Sequence, residues 1–171
     1  FMKAQSRYEA AETALKKRDI QEAIKQYQRA IDMASDFALA YARLGAIAFQ
    51  QKDRAKAMSY YQSYVELKPN SIKAHQMLGS MALQSNDFET AKTAFEKVIA
   101  IEANNPYPFY GLGTACLQLA QHEDGVKHLK KSLQIDPNFG PSCQVLASHY
   151  LQHDQNSSQA FELAKRAVMN A

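Results

Sequence analysis

The sequence has no tryptophan, only two cysteines, five prolines and six glycines in 171 residues. It also lacks any apolar run near the roughly 20 residues that a membrane-spanning helix needs, so no membrane insertion is expected. No Gly-, Pro- or Ser-rich stretch and no block of like charge marks a disordered tail. Cys116 and Cys143 are too few for a disulfide framework and lack the close spacing of a zinc pair. Neither sign of charge dominates, with 20 Lys and Arg against 17 Asp and Glu. No basic stripe accompanies the aromatic residues, so no nucleic-acid partner is expected. No Gly-rich phosphate loop is present, and no nucleophile, base and oxyanion donor stand in a recognisable order. Neither catalysis nor a cofactor is expected. Phe1 precedes Met2, which does not read as a native start, so the missing signal peptide carries no information.

What is present is a period. Shifting the chain on itself by 34 residues lays Tyr41-x-x-Leu44-Gly45 over His75-x-x-Leu78-Gly79, Phe109-x-x-Leu112-Gly113 and Cys143-x-x-Leu146-Ala147. A second column holds Ala23, Ala57, Ala91 and Gly125, and four residues later come Tyr27, Tyr61, Phe95 and Leu129. Each unit closes on a helix stop: Ser35-Asp36, Pro69-Asn70, Ala103-Asn104-Asn105 and Pro137-Asn138.

Within each unit the apolar residues recur at three and four residue intervals, the period of a helix, so a unit is two helices. The breaks between them fall at Lys17-Arg18-Asp19, Lys52-Asp53, Ser85-Asn86-Asp87, Gln121-His122 and Asp154-Gln155-Asn156. There Asp and Asn can cap the following helix through their side-chain oxygens. Gly costs a helix interior about 1 kcal/mol relative to Ala. The column Gly45, Gly79, Gly113 therefore predicts a close approach of a neighbouring backbone, with the alanine column as the other half of that contact. Pro106, Pro108 and Pro141 fall in first turns, where the N–H groups have no intrahelical partner.

A large residue, Leu, Gly, then Ala, aromatic and Pro on two helices of a 34-residue unit resembles the tetratricopeptide repeat. The resemblance covers the whole chain. It implies an all-α fold, a right-handed α-solenoid of five helix-turn-helix repeats in one domain over 1–171, with units at about 4–37, 38–71, 72–105, 106–139 and 140–171. The unit of Tyr41, Leu44, Gly45, Ala57, Tyr61 and Pro69 matches best. The ends depart from the pattern. Arg7 stands where other units carry Tyr41, His75 or Phe109, which reads as an N-terminal cap. The fifth unit gains a residue in its turn and has Ala164 where an aromatic is usual.

Members of this family line a concave groove with the first helix of each unit, which implies a groove for a protein or peptide partner. The residues placed there are Tyr8 from the first unit, Leu39, Phe49 and Gln50 from the second, and Lys73, Gln76, Leu83 and Gln84 from the third. The fourth adds Tyr107, Tyr110, Leu117 and Gln118, and the fifth adds Gln144, Leu151 and Gln152. Gln50, Gln84, Gln118 and Gln152 recur every 34 residues, and an amide both donates and accepts, which suits the backbone of an extended peptide. Gln is equally a good helix former near a helix end. One branch of the family binds chaperone carboxyl termini through Lys, Asn and Arg. Here only Lys73, Lys16 and, at the edge, Arg43 are of that kind, so that mode is not expected. Tyr107 and Tyr110 suit either ligand stacking or sealing of the seam between repeats.

Other features have plain readings. His149 and His153 are four apart on one helix, but no carboxylate has matching spacing and His122 belongs to a different turn, so no metal is expected. Cys116 and Cys143 read as buried thiols in helix interiors, compatible with a reducing compartment. Lys127, His128, Lys130 and Lys131 read as a solvated outer face. The apolar side chains of helix 158–170, Phe161 and Leu163 above all, have no following helix to cover them, so a homo-oligomer through that helix is a rival to groove binding. A regulatory arm of an attached enzyme is a second rival. The expected function is a protein–protein interaction scaffold.

Overall fold

A computed structural model describes residues 2–153 and 157–169, Ser157 by its backbone alone. Among these residues the chain is ten α-helices without a strand. They are α1 (Met2–Lys16), α2 (Ile20–Met33), α3 (Ala38–Gln50), α4 (Arg54–Leu67), α5 (Ile72–Gln84), α6 (Phe88–Ile101), α7 (Pro106–Gln118), α8 (His122–Ile135), α9 (Gly140–Gln152) and α10 (Ser157–Met169). The architecture is the expected all-α helical-repeat solenoid. The chain falls into two compact units, Phe1–Met81 and Ala82–Ala171, with the boundary inside α5.

The turn within each of the first four repeats is built by one recurring device. Arg18, Lys52, Asn86 and Ala120, spaced by 34, have φ of 61°, 63°, 59° and 60°. The residue after each donates its N–H five positions back: Asp19 to Ala14, Asp53 to Ala48 and Asp87 to Ala82 at 2.9 Å, and Gln121 to Cys116 at 2.8 Å. This is the Schellman termination, which satisfies carbonyls the helix would otherwise leave orphaned. The same aspartates then start the next helix, because Asp19, Asp53 and Asp87 accept from the N–H groups of Glu22, Lys56 and Thr90. The caps were expected from their side chains. The left-handed conformation was not, since Arg, Lys and Ala carry no turn signal and only Asn86 is a residue that favours it. Gln121 makes no side-chain cap. The fifth turn, Asp154-Gln155-Asn156, lies outside the described residues.

The helix starts at proline are as expected: Pro106 opens α7 and Pro141 is the second residue of α9. Asn105 caps α7, accepting from the Tyr107 N–H at 3.0 Å.

In the first unit, Ala4, Ala11 and Ala14 of α1 pack with Ala23, Tyr27, Ala30 and Ile31 of α2 and with Ala40, Leu44 and Ile47 of α3. A Cβ on Gly45 would lie 2.8 Å from the Tyr61 ring. The neighbour that forbids a side chain there is the aromatic column, not the alanine column as the sequence suggested.

In the second unit the glycines do meet backbone to backbone. A Cβ on Gly113 would approach the Gly125 carbonyl oxygen at 3.0 Å, and one on Gly125 would approach that of Gly113 at the same distance. Gly125 thus permits a closer approach of α7 and α8 than alanine would. Gly111, outside the repeat column, faces Phe95, whose ring would stand 2.3 Å from an added Cβ.

Leu129, Cys143, Leu146, Ala147, Tyr150, Ala160 and Leu163 form a second core. Leu163 is therefore covered by its own repeat, which corrects the expectation that it lies open. Two polar side chains go with this core: the hydroxyls of Ser132 on α8 and Ser142 on α9 are fully buried and meet at 2.7 Å. Cys116 and Cys143 are free, buried thiols. Burial pushes both above the usual thiol range, so they are not poised as nucleophiles.

Candidate functional site

In the first unit the candidate face begins with a closed polar cluster. Arg43 on α3 grips the Glu12 carboxylate of α1, Nε to Oε1 at 2.8 Å and Nη2 to Oε2 at 3.0 Å. Its Nε also donates to the Tyr8 hydroxyl at 3.3 Å. The Tyr27 hydroxyl donates to the same carboxylate. Burial, and then this carboxylate, hold the Tyr27 phenol far above its ordinary value. Tyr8 is half-buried, its ring 5.4 Å from those of both Tyr27 and Phe37. Arg43 and Glu12 neutralise each other, so neither is a spare charge for a ligand. Leu39 and Phe49 stay 53% and 39% exposed on α3, with Gln50 exposed beside Phe49. On α5, Lys73 is exposed and Gln76 half-buried.

In the second unit the aromatic candidates are engaged with their own fold. Tyr107 meets Phe95 edge-on and Tyr110 at a tilt, both at 5.9 Å between centroids, and Tyr110 meets Phe139 edge-on at 6.0 Å. Burial raises the Tyr110 phenol above its ordinary value. The run Phe95–Tyr107–Tyr110–Phe139 thus joins α6, α7 and the start of α9, with both tyrosines half-buried. Leu117 is spoken for as well: its Cδ2 fills the space a Gly125 side chain would take. Leu83 is half-buried, while Gln84, Gln118, Gln144, Leu151 and Gln152 are exposed. Gln50, Gln84, Gln118 and Gln152 are each the last residue of their helix. That regularity fits both the binding and the helix-end readings of the glutamines.

A cluster that sequence spacing did not bring together lies between α8 and α9. His122 opens α8, His149 lies in the last turn of α9, and His153 is the residue after that helix. One ligating atom from each lies within 4.8 Å of the others. The ring centroids are 5.4 Å apart for His122 and His149, 5.0 Å for His122 and His153, and 4.5 Å for His149 and His153. The expectation that His122 stands apart in its own turn is corrected. Contact between α8 and α9 folds that turn onto the end of α9. His149 is buried, and burial, then His153 and His122, depress its tendency to protonate. An open cleft lined by Glu123, Val126, Lys127 and Tyr150 adjoins the three rings.

The basic residues Lys127, Lys130 and Lys131 are exposed, while His128 is half-buried and stacks on Phe109 at 6.4 Å. Part of the outer face read as solvated is therefore packed.

Comparisons with known proteins agree with this geometry. The solved structure "MamA 41-end from Desulfovibrio magneticus RS-1" superposes with a TM-score of 0.85 at 20% identity, covering 98% of this chain and 94% of that one. Another MamA crystal structure gives 0.82 at 20% identity, covering 94% and 93%. YrrB, described as a TPR protein with an unusual peptide-binding site, gives 0.81 at 14% identity, covering 96% and 84%. A comparison with curated protein sequences gave no match. Two family profiles, each described as tetratricopeptide repeat, match residues 8–72 and residues 72–105 and 108–139. With matches along most of its length, the chain belongs to the tetratricopeptide repeat family.

Proposed function

We propose that this chain is a non-catalytic scaffold whose first helices hold a segment of a partner protein, extended or helical. The observation that carries the reading is on α3. Leu39 and Phe49 keep large apolar surfaces in solvent beside the uncharged Gln50, while Arg43 of the same helix is paired with Glu12. Exposed apolar side chains with a polar rim and little free charge are what a peptide groove offers. The description of YrrB, of like fold, supports a peptide as the class of occupant. In the second unit the exposed Leu151, with Gln118, Gln144 and Gln152, offers the same chemistry.

The test is selection of linear peptides from a displayed library on the folded chain, followed by titration against variants. Phe49→Ala and Leu39→Ala should each weaken the selected peptides by more than about 1 kcal/mol, the usual mark of a contact that matters. Peptides indifferent to both would remove the reading from α3.

A second reading is favoured by α10, where Phe161 is 68% exposed and Val168 and Met169 more so. Such a face suits a second copy of the chain. Sedimentation of parent and Phe161→Ser across a concentration series decides it: a dimer that the substitution abolishes supports self-association, and a monomer throughout removes it.

A further inference from the structure

His122 starts α8 in one repeat, and His149 and His153 lie at the end of α9 in the next, yet one ring nitrogen from each converges to within 4.8 Å of the others. We propose that these three histidines form a binding site for a divalent transition-metal ion of the zinc type, tying the fourth repeat to the fifth. This is independent of the peptide-binding reading, since none of the three lies among the candidate groove residues.

Imidazole is a preferred ligand of Zn²⁺, and three histidines with one open position are an established donor set for it. Zn–N bonds of about 2.0–2.1 Å in a tetrahedron place the nitrogens about 3.3 Å from each other. Closing from 4.8 Å to that spacing takes side-chain rotation rather than a helix shift. The two rings that would rotate, His122 and His153, are exposed and free to do so, while the buried His149 anchors the set.

His149 and His153 are four residues apart, so they share one face at the carboxyl end of α9. The partial negative charge of that helix end favours a cation. The amino end of α8, beside His122, works against one, but Glu123 and Asp124 occupy that first turn. Lys127 and Lys130 line the adjoining cleft and also oppose a cation, and Glu123 lines it too. Direct coordination by three nitrogens is a short-range bond that outweighs these solvent-screened charges. The cleft leaves the fourth position open to water or to an exchangeable ligand.

The experiment uses the whole chain stripped of metal with a chelator and titrated with Zn²⁺ by calorimetry and with Co²⁺ by visible absorption. One equivalent should bind, and Co²⁺ should show the intense visible bands of a four-coordinate site. His122→Ala and His153→Ala, both at exposed positions, should each weaken Zn²⁺ binding by about tenfold or more. The control His128→Gln, outside the cluster, should leave it unchanged. Zn²⁺ should also raise the melting temperature of the parent and not that of the double variant His122→Ala/His153→Ala, because an ion that binds only the folded state stabilises it. Absence of binding in the parent, or binding that is unaltered in the double variant, would overturn the proposal and leave the three rings as a packing contact. Circular dichroism of each variant confirms that a lost site is not a lost fold.

Discussion

The Ser142 hydroxyl donates to that of Ser132 at 2.7 Å, and neither residue exposes any surface to solvent. Each is the other's partner across the α8–α9 packing. Removing one hydroxyl leaves the other buried without a bond, which costs about 1–3 kcal/mol, whereas removing both need cost little. Ser132→Ala and Ser142→Ala should therefore each lower stability in urea, and the double variant should lose clearly less than the two losses combined. Additive losses would mean that the hydroxyls find other partners.

The intra-repeat turns offer a gain rather than a loss. Ala120 has a φ of 60° with a Cβ that this conformation disfavours, and Gln121 after it provides no side-chain cap. Ala120→Gly relieves about 1–2 kcal/mol of left-handed strain, less the extra chain entropy of glycine. Gln121→Asp restores the cap of the first three repeats, worth about 0.5–2 kcal/mol. It gives up the hydrogen bond from Lys92 to Gln121 at 2.8 Å. Both variants should melt above the parent. If Ala120→Gly melts below it, the strain is not stored at that residue.

The contrast between these turns and the histidine cluster shows where the sequence is readable. Periodicity, caps and proline starts depend on residues close in the chain, and Asp19, Asp53, Asp87, Pro106 and Pro141 behave as their local chemistry requires. The glycine column was legible as a close contact, but whether Gly45 meets Tyr61 or Gly113 meets Gly125 depends on how neighbouring helices pack. The meeting of His122 with His149 and His153 depends on the α8–α9 contact and leaves no signal in spacing. The candidate groove was legible as columns of the repeat. Which of its members have surface left for a partner was not, because the packing of Leu117 on Gly125, of Tyr107 on Phe95 and of Tyr110 on Phe139 is set by how neighbouring helices meet, which the columns do not specify.

Acid should weaken the fold through His128. Burial holds its imidazole below the ordinary histidine range, with Asp124 and Glu96 working the other way and Lys127 and Lys92 reinforcing the depression. With a depressed value in the folded state, the unfolded chain takes up the proton first as pH falls. The stability of the neutral form is fully present above about pH 6.5 and is lost as pH falls through the folded value. His149, also depressed by burial, contributes with the same sign. The melting temperature should fall between neutral pH and mild acid, and His128→Gln should make that fall shallower. An unchanged slope would assign the acid sensitivity to other groups.

Whether charge or shape carries recognition is testable through salt. On the first unit's candidate face the Glu12–Arg43 pair is closed on itself and Lys73 stands exposed, so a bound peptide gains little from long-range attraction. Its affinity should change little with ionic strength, whereas a carboxylate-binding groove would weaken steadily as the Debye length shrinks. Lys73→Ala should accordingly matter less than Phe49→Ala. The glutamines make a different demand. If Gln84 and Gln118 engage peptide backbone, their joint replacement by Ala should weaken peptides of unrelated sequence alike, because a backbone is common to all of them. If the loss is confined to peptides with particular side chains, the amides read side chains instead. A steep salt dependence, with sensitivity to Lys127, Lys130 and Lys131 and none to Phe49, would move recognition to the second helix of the fourth repeat and away from the first helices.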